Sequence, residues 1–192
     1  MTTLLVGLVL FGISLALLVT AGLGLDPWDV FHQGVSRTID VRLGAVVVVT
    51  SLAVMLLWIP LGLRIGLGTL FNAVVVGVVF EAAIGVLPEV SGVVARSATL
   101  VLAIVGNAAA TGLYIGAGLG PGPRDGLMTG LAARGWTIRR VRTAIEVTVL
   151  AIGWLLGGDV GVGTVLFAVA IGPLVHIMLP LFAVEAKPEL VS

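Results

Sequence analysis

The sequence predicts an all-α polytopic membrane protein: six transmembrane helices as a 3+3 inverted repeat, with a short half-helix after the first span of each half. Three observations carry that expectation. Hydrophobic residues make up 59% of the 192 residues and charged residues only 10%, whereas a soluble domain carries roughly a quarter charged residues. Apolar runs of about 20 residues, long enough to cross a bilayer, occur at six places. The chain also contains one segment twice. Ala21-Gly22-Leu23-Gly24 returns as Ala117-Gly118-Leu119-Gly120, and each copy is followed by a Pro-x-Asp turn, Pro27-Trp28-Asp29 and Pro123-Arg124-Asp125. Gly34 then matches Gly130 at an offset of 96, and Gly66-Leu67-Gly68-Thr69 with Gly77 matches Gly161-Val162-Gly163-Thr164 with Gly172 at an offset of 95. The repeats are expected at 1–96 and 97–184, followed by a short cytoplasmic tail at 185–192.

The first span is expected at 4–21. Its apolar run resembles a signal peptide, but Met1-Thr2-Thr3 carries no lysine or arginine, as a signal n-region does. The same stretch recurs at 100–120, so it is read as a retained helix. Next, Asp26 suits an N-cap, Pro27 the first helical position and Asp29 the acidic third position. Gly122, Pro123 and Asp125 repeat the pattern. Both short helices are too brief and polar to span; they lie in the interface or dip in as re-entrant half-helices, which is tolerated only against protein or a wet cavity. The second span is expected at 43–61, with Pro60 ending it. The third, 67–87, and the sixth, 162–182, both open on Gly-x-Gly-Thr, with the threonine as helix cap. The fourth and fifth fall at 98–117 and 141–157. Three spans per half is an odd number, so the second half enters from the opposite face and the repeats are inverted.

Orientation follows from cationic residues. Arg64, Arg124, Arg134, Arg139, Arg140, Arg142 and Lys187 fall on one side, and Arg37, Arg42 and Arg96 on the other. That excess places both termini in the cytoplasm by the positive-inside rule. Trp28, Trp58, Trp136 and Trp154 all fall near expected span ends, where indoles anchor at headgroups.

Ionisable groups within a span are costly and so are candidates for function. Glu81 and His176 hold equivalent repeat positions at mirrored depths. As a carboxylate and an imidazole they can relay protons or bind a polar substrate group; the alternative is that Glu81 snorkels and His176 satisfies a neighbouring carbonyl. Glu146 lies four residues after Arg142, a spacing that pairs them on one helix face. Asp29 and Asp125 are the acidic residues kept in both halves. Each stabilises a helix start, and two half-helices can also aim their positive ends at a substrate, with the aspartates gating or binding cations. Arg124 shares the repeat position of Trp28; it meets an acidic group or lipid head, or simply obeys the positive-inside rule. Asn72, Asn107 and Thr111 suit helix–helix contacts, and His32 and Gln33 a pore-facing edge of the first short helix.

Net charge is zero with no basic tail, which argues against nucleic acid, and there is no cysteine and only two histidines, so no metal or cofactor is expected. No Walker loop, Gly-x-Ser-x-Gly elbow or His-Glu-x-x-His occurs, so an enzyme is not expected. The stretches 24–34, 118–127 and Val141-Arg142-Thr143-Ala144-Ile145-Glu146, with both Gly-x-Gly-Thr turns, resemble the YczE branch of the YczE/YyaS/YitT-type bacterial integral membrane proteins. The resemblance covers nearly the whole chain. It implies a multi-pass bacterial inner-membrane protein and brings no catalytic residues to transfer. The functional expectation is a small-molecule or ion permease with its site at the repeat interface, formed from Asp29, Asp125, Glu81, His176 and Arg124. The alternatives are a substrate-binding subunit working with an energising partner, or a non-transporting scaffold or assembly factor. Its partners are the lipid bilayer and an unidentified substrate, with a homo-oligomer also open.

Overall fold

A computed structural model describes residues 1–182; the tail expected at 185–192, with Lys187, lies outside the described residues. Those residues form eight α-helices: α1 (Thr2–Ala21), α2 (Pro27–Ile39), α3 (Leu43–Leu56), α4 (Leu67–Val86), α5 (Val93–Gly116), α6 (Pro123–Ala132), α7 (Ile138–Leu155) and α8 (Val162–Phe182). Four of them, α1, α4, α5 and α8, are long and apolar enough to cross a membrane. A fifth span results if α2 and α3, which meet at a bend of 115°, count together.

Six separate spans are therefore not what the helices present. Helix α3 has only 14 residues; at 1.5 Å per residue it reaches about 21 Å, short of a hydrocarbon core of about 30 Å. It stops at Leu56, ahead of Pro60, because Trp58 leaves the helical path to pack elsewhere. Helix α7 has 18 residues, but Arg139, Arg140, Arg142 and Glu146 occupy its first half. The two short half-helices are present as α2 and α6.

Helices α1 and α5 form the centre and run antiparallel. Gly7 lies against Ala110, Leu113 and Tyr114, and Gly106 lies against Ser14. At the far end Arg96 donates to the Ala21 and Gly22 carbonyls. Leu4, Leu8, Leu15 and Leu18 of α1 join Phe80, Leu100 and Ile104 in the main core. Helix α4 packs on α1 as α8 packs on α5.

Each repeat's glycine turn docks on the other repeat. Gly68 N donates to Leu119 O at 2.8 Å, and Gly163 N donates to Leu23 O at 2.7 Å, the same bond made twice between corresponding residues. Glycine is required in these turns: Gly24 has φ +107° and Gly120 φ +116°, a region side chains rarely enter. A Cβ on Gly24 would lie 2.5 Å from Gly161 N. One threonine caps as expected: Thr164 Oγ1 accepts from Gly161 N at 3.1 Å at the start of α8, whereas Thr69 Oγ1 donates to Pro121 O at 2.8 Å.

The repeats differ most in how α3 and α7 pack. Helix α3 packs along α4, whereas α7 makes at most marginal contact with α8 and lies instead on α2. Gly44 allows the close crossing in the first half: a Cβ there would lie 2.3 Å from Gly77 O. The corresponding position of α7 is Arg140, too large for such an approach. Gly172, the counterpart of Gly77, accordingly has nothing within 4 Å of its Cβ position among the described residues, and an open groove of about 630 Å³ runs along α7 past Arg139, Arg140, Thr143 and Ala144.

Candidate functional site at the meeting of two helix N-termini

The first turn of α2 is built from Asp26. Its Oδ1 accepts from Trp28 N at 3.0 Å and Asp29 N at 3.3 Å, an N-cap that holds the loop against the helix start. Pro27 occupies the first helical position. Three residues further, one turn on, Asp29 Oδ1 meets His32 Nδ1 at 2.9 Å, and both side chains are fully buried. Helix α6 begins on Pro123 with Gly122 as its N-cap. Trp58, buried beyond the end of α3, donates from Nε1 to Pro123 O at 3.1 Å. Its ring lies where a side chain on Gly126 would be, so Gly126 makes the slot that fixes the start of α6.

Held this way, α6 delivers Arg124 to α2. Its guanidinium lies 4.0 Å from Asp29 Oδ1 and 5.0 Å from the centre of the Trp28 ring, within cation–π range. The two side chains that share a repeat position thus touch one another, and the first turns of α2 and α6 meet through them. Asp125 accepts from Tyr114 Oη on α5. Four polar atoms of this cluster are buried without a partner: Asp26 Oδ2, Trp28 Nε1, Asp29 Oδ2 and His32 Nε2. Buried polar atoms in proteins are nearly always paired, with protein or with water, so four together make this the place where a polar group or water would find partners.

The remaining expected residues lie elsewhere. Glu81 Oε2 accepts from Gly44 N at 2.8 Å, capping the start of α3. His176 is exposed on α8. Their shared repeat position brings them neither together nor to Asp29. Glu146 pairs with Arg142 at 2.8 Å, as its spacing implied. Gln33 accepts from Asp159 N at 2.7 Å, and Arg37 pairs with Asp159 at 2.8 Å, closing the far end of α2. The Arg37 hydrogen bonds hold the Asp159 carboxyl below its ordinary value. Of the four tryptophans, Trp136 and Trp154 are exposed, whereas Trp28 and Trp58 are interior and are not headgroup anchors. Sequence reasoning passed over Asp26 as a site residue and gave His32 little weight. The signal for both was present: three ionisable residues at 26, 29 and 32, spaced one helical turn apart in an otherwise apolar chain.

A protein of Haemophilus influenzae, described as uncharacterized, is 40% identical over 181 residues, covering 94% of this chain and 83% of that protein. The uncharacterized membrane protein YczE of Bacillus subtilis is 33% identical over 173 residues, covering 88% of this chain and 80% of its own length. No solved structure matches the chain. With its apolar helices and a membrane protein among its relatives, the chain is an integral membrane protein. Its residues 1–180 match the family of unknown function DUF6198, and it belongs to that family.

Proposed function

We propose that the chain is a small-molecule or ion permease of the bacterial inner membrane, with both termini cytoplasmic. In this reading α2–α3 and α6–α7 each complete a broken span, giving six spans in a 3+3 inverted repeat. The antiparallel packing of α1 and α5 supports the inversion, since two equivalent spans running in opposite directions require it. The observation that carries the permease reading is the meeting of two half-helix N-termini, one from each repeat, around buried polar atoms that have no partner. Broken helices that point their ends at a shared site are how many transporters hold a polar cargo. Asp29 and Arg124 are the residues assigned to binding; Asp125 is assigned to the rim, through Tyr114. Glu81 and His176 are not assigned to it. No catalytic residue is assigned, because the sequence carries no nucleophile–base motif.

The test is counterflow into proteoliposomes preloaded with a panel of small cations, anions and neutral metabolites. Flux of one class, abolished by Arg124→Gln and by Asp29→Asn, is expected. Folded protein that moves none of them counts against a self-sufficient permease. A second reading, a substrate-binding subunit of a larger complex, is favoured by the open face of α7 along Arg139, Arg140, Thr143 and Ala144. Copurification of an energising protein, with flux only when it is added, distinguishes the two.

A further inference from the structure

The charges around Asp29 do not balance. Asp26 and Asp29 are two carboxyls, 4% and 0% exposed, and among the described residues the guanidinium beside them is that of Arg124, 4.0 Å from Asp29. Beyond it, Asp26 Oδ1 takes the Trp28 and Asp29 amides, but no second side-chain cation stands here among the described residues. The part of α7 packed here is apolar, through Ile145 and Val149, as is α3 through Val54. Arg142 and Glu146 of α7 pair with each other, and Arg37 pairs with Asp159. Asp125 of α6 is taken by Tyr114. An unpaired carboxylate in such a place is neutralised rather than tolerated.

The hydrogen bonds say where the neutralising proton sits. His32 makes one bond, from Nδ1 to Asp29 Oδ1. Its Nε2 is buried and unpartnered, and a charged imidazole would leave a buried N–H there with no acceptor. The neutral tautomer, donating from Nδ1, leaves only a lone pair. Asp29 N donates to Asp26 Oδ1 at 3.3 Å, which keeps the two carboxyl groups at the same helix start, and each has one oxygen without a donor. A single O–H between them supplies a donor where there is none.

We infer that Asp26 and Asp29, oriented by His32 and covered by Arg124, form a proton-binding site that carries one proton at neutral pH. Binding takes one proton from bulk water and release returns it, with no other change in composition. The inference concerns the site proposed for cargo, and gives that site its coupling ion: a cation that enters beside Asp29 displaces the proton.

The experiment is infrared spectroscopy of the full chain in lipid nanodiscs over a pH series, reading the carbonyl stretch of a protonated carboxylic acid. Wild type is expected to show one such band at neutral pH, absent in Asp26→Asn and in Asp29→Asn. Arg124→Gln removes a positive charge about 4 Å away and is expected to move loss of the band to higher pH by roughly one to three units. Glu81→Gln is expected to leave the band in place, since Glu81 caps α3. No band in folded wild type, a band untouched by both asparagine variants, or one removed by Glu81→Gln overturns the inference. A band without flux for any cargo leaves the proton site standing and removes the permease; flux without a band does the reverse.

Discussion

Gly24→Ala is the substitution on which the repeat-to-repeat contact can be weighed. At φ +107° an alanine is held where side-chain residues rarely go, costing about 1–3 kcal/mol. Its Cβ would lie 2.5 Å from Gly161 N and 2.8 Å from Gly161 Cα. Both are backbone atoms that cannot swing aside, so a further 1–3 kcal/mol or so of overpacking follows. Moving the turn away weakens the Gly163 N to Leu23 O bond of 2.7 Å, worth about 1 kcal/mol. Together these give a loss of about 3–7 kcal/mol, read as the unfolding free energy of purified protein in mixed micelles. Gly120→Ala meets a softer wall, with Thr69 Oγ1 at 2.9 Å and Gly66 Cα at 3.3 Å, and should cost about 2–3 kcal/mol. Gly85 lies in α4 with nothing within 4 Å of a built Cβ; alanine there should stabilise by about 0.5–1 kcal/mol. If Gly24→Ala unfolds within about 1 kcal/mol of wild type, the close docking of the two turns is wrong.

Other consequences follow from single contacts. Glu81→Ala removes the carboxylate on Gly44 N at 2.8 Å and should cost about 1–2 kcal/mol in the same unfolding measurement, with Glu81→Gln costing less because an acceptor remains. Trp58→Phe keeps an aromatic ring but loses part of the indole that fills the Gly126 slot and the Nε1 bond to Pro123 O, for about 1–3 kcal/mol, whereas Trp58→Ala opens a larger cavity and should cost about 3–5 kcal/mol. Asp159 is held below its ordinary value by Arg37, so its contribution is present above the unfolded carboxyl range, about pH 4, and is lost as pH falls through the lower folded value. Both partners are about half exposed, which limits the effect to under about 1 kcal/mol. A pH series comparing wild type with Asp159→Asn should show the two converge in acid and separate near neutrality.

What the sequence made legible was set by local rules. The long apolar runs at 4–21 and 162–182 lie within or coincide with α1 and α8. Asp26-Pro27 and Gly122-Pro123 marked the starts of α2 and α6, because proline and a small or acidic cap suit a helix entrance. What stayed hidden depends on contacts across the fold. The expected span to 61 fails because Trp58 is drawn out to fill the slot at Gly126, a pairing 68 residues long in sequence. Glu81 and His176 share a repeat position, but Gly44 admits the α3–α4 crossing and Arg140 obstructs its counterpart, so the two groups meet different surroundings. Asp29 and Asp125 were legible as helix-start acids. That Arg124 reaches Asp29 is a relation between helix ends from different repeats, which no spacing within either one encodes.

The reciprocal glycine turns also constrain how the protein is made. When the ribosome has completed the first repeat, the Leu23 carbonyl and the Gly68 amide exist, but their partners Gly163 and Leu119 have not been synthesised. Backbone groups left without partners in a hydrocarbon setting cost several kcal/mol each, so the first half waits, incompletely settled, until almost all of the second has emerged. A gene cut at the exposed connection between α4 and α5 should therefore yield two fragments that each perish when expressed alone and accumulate when expressed together.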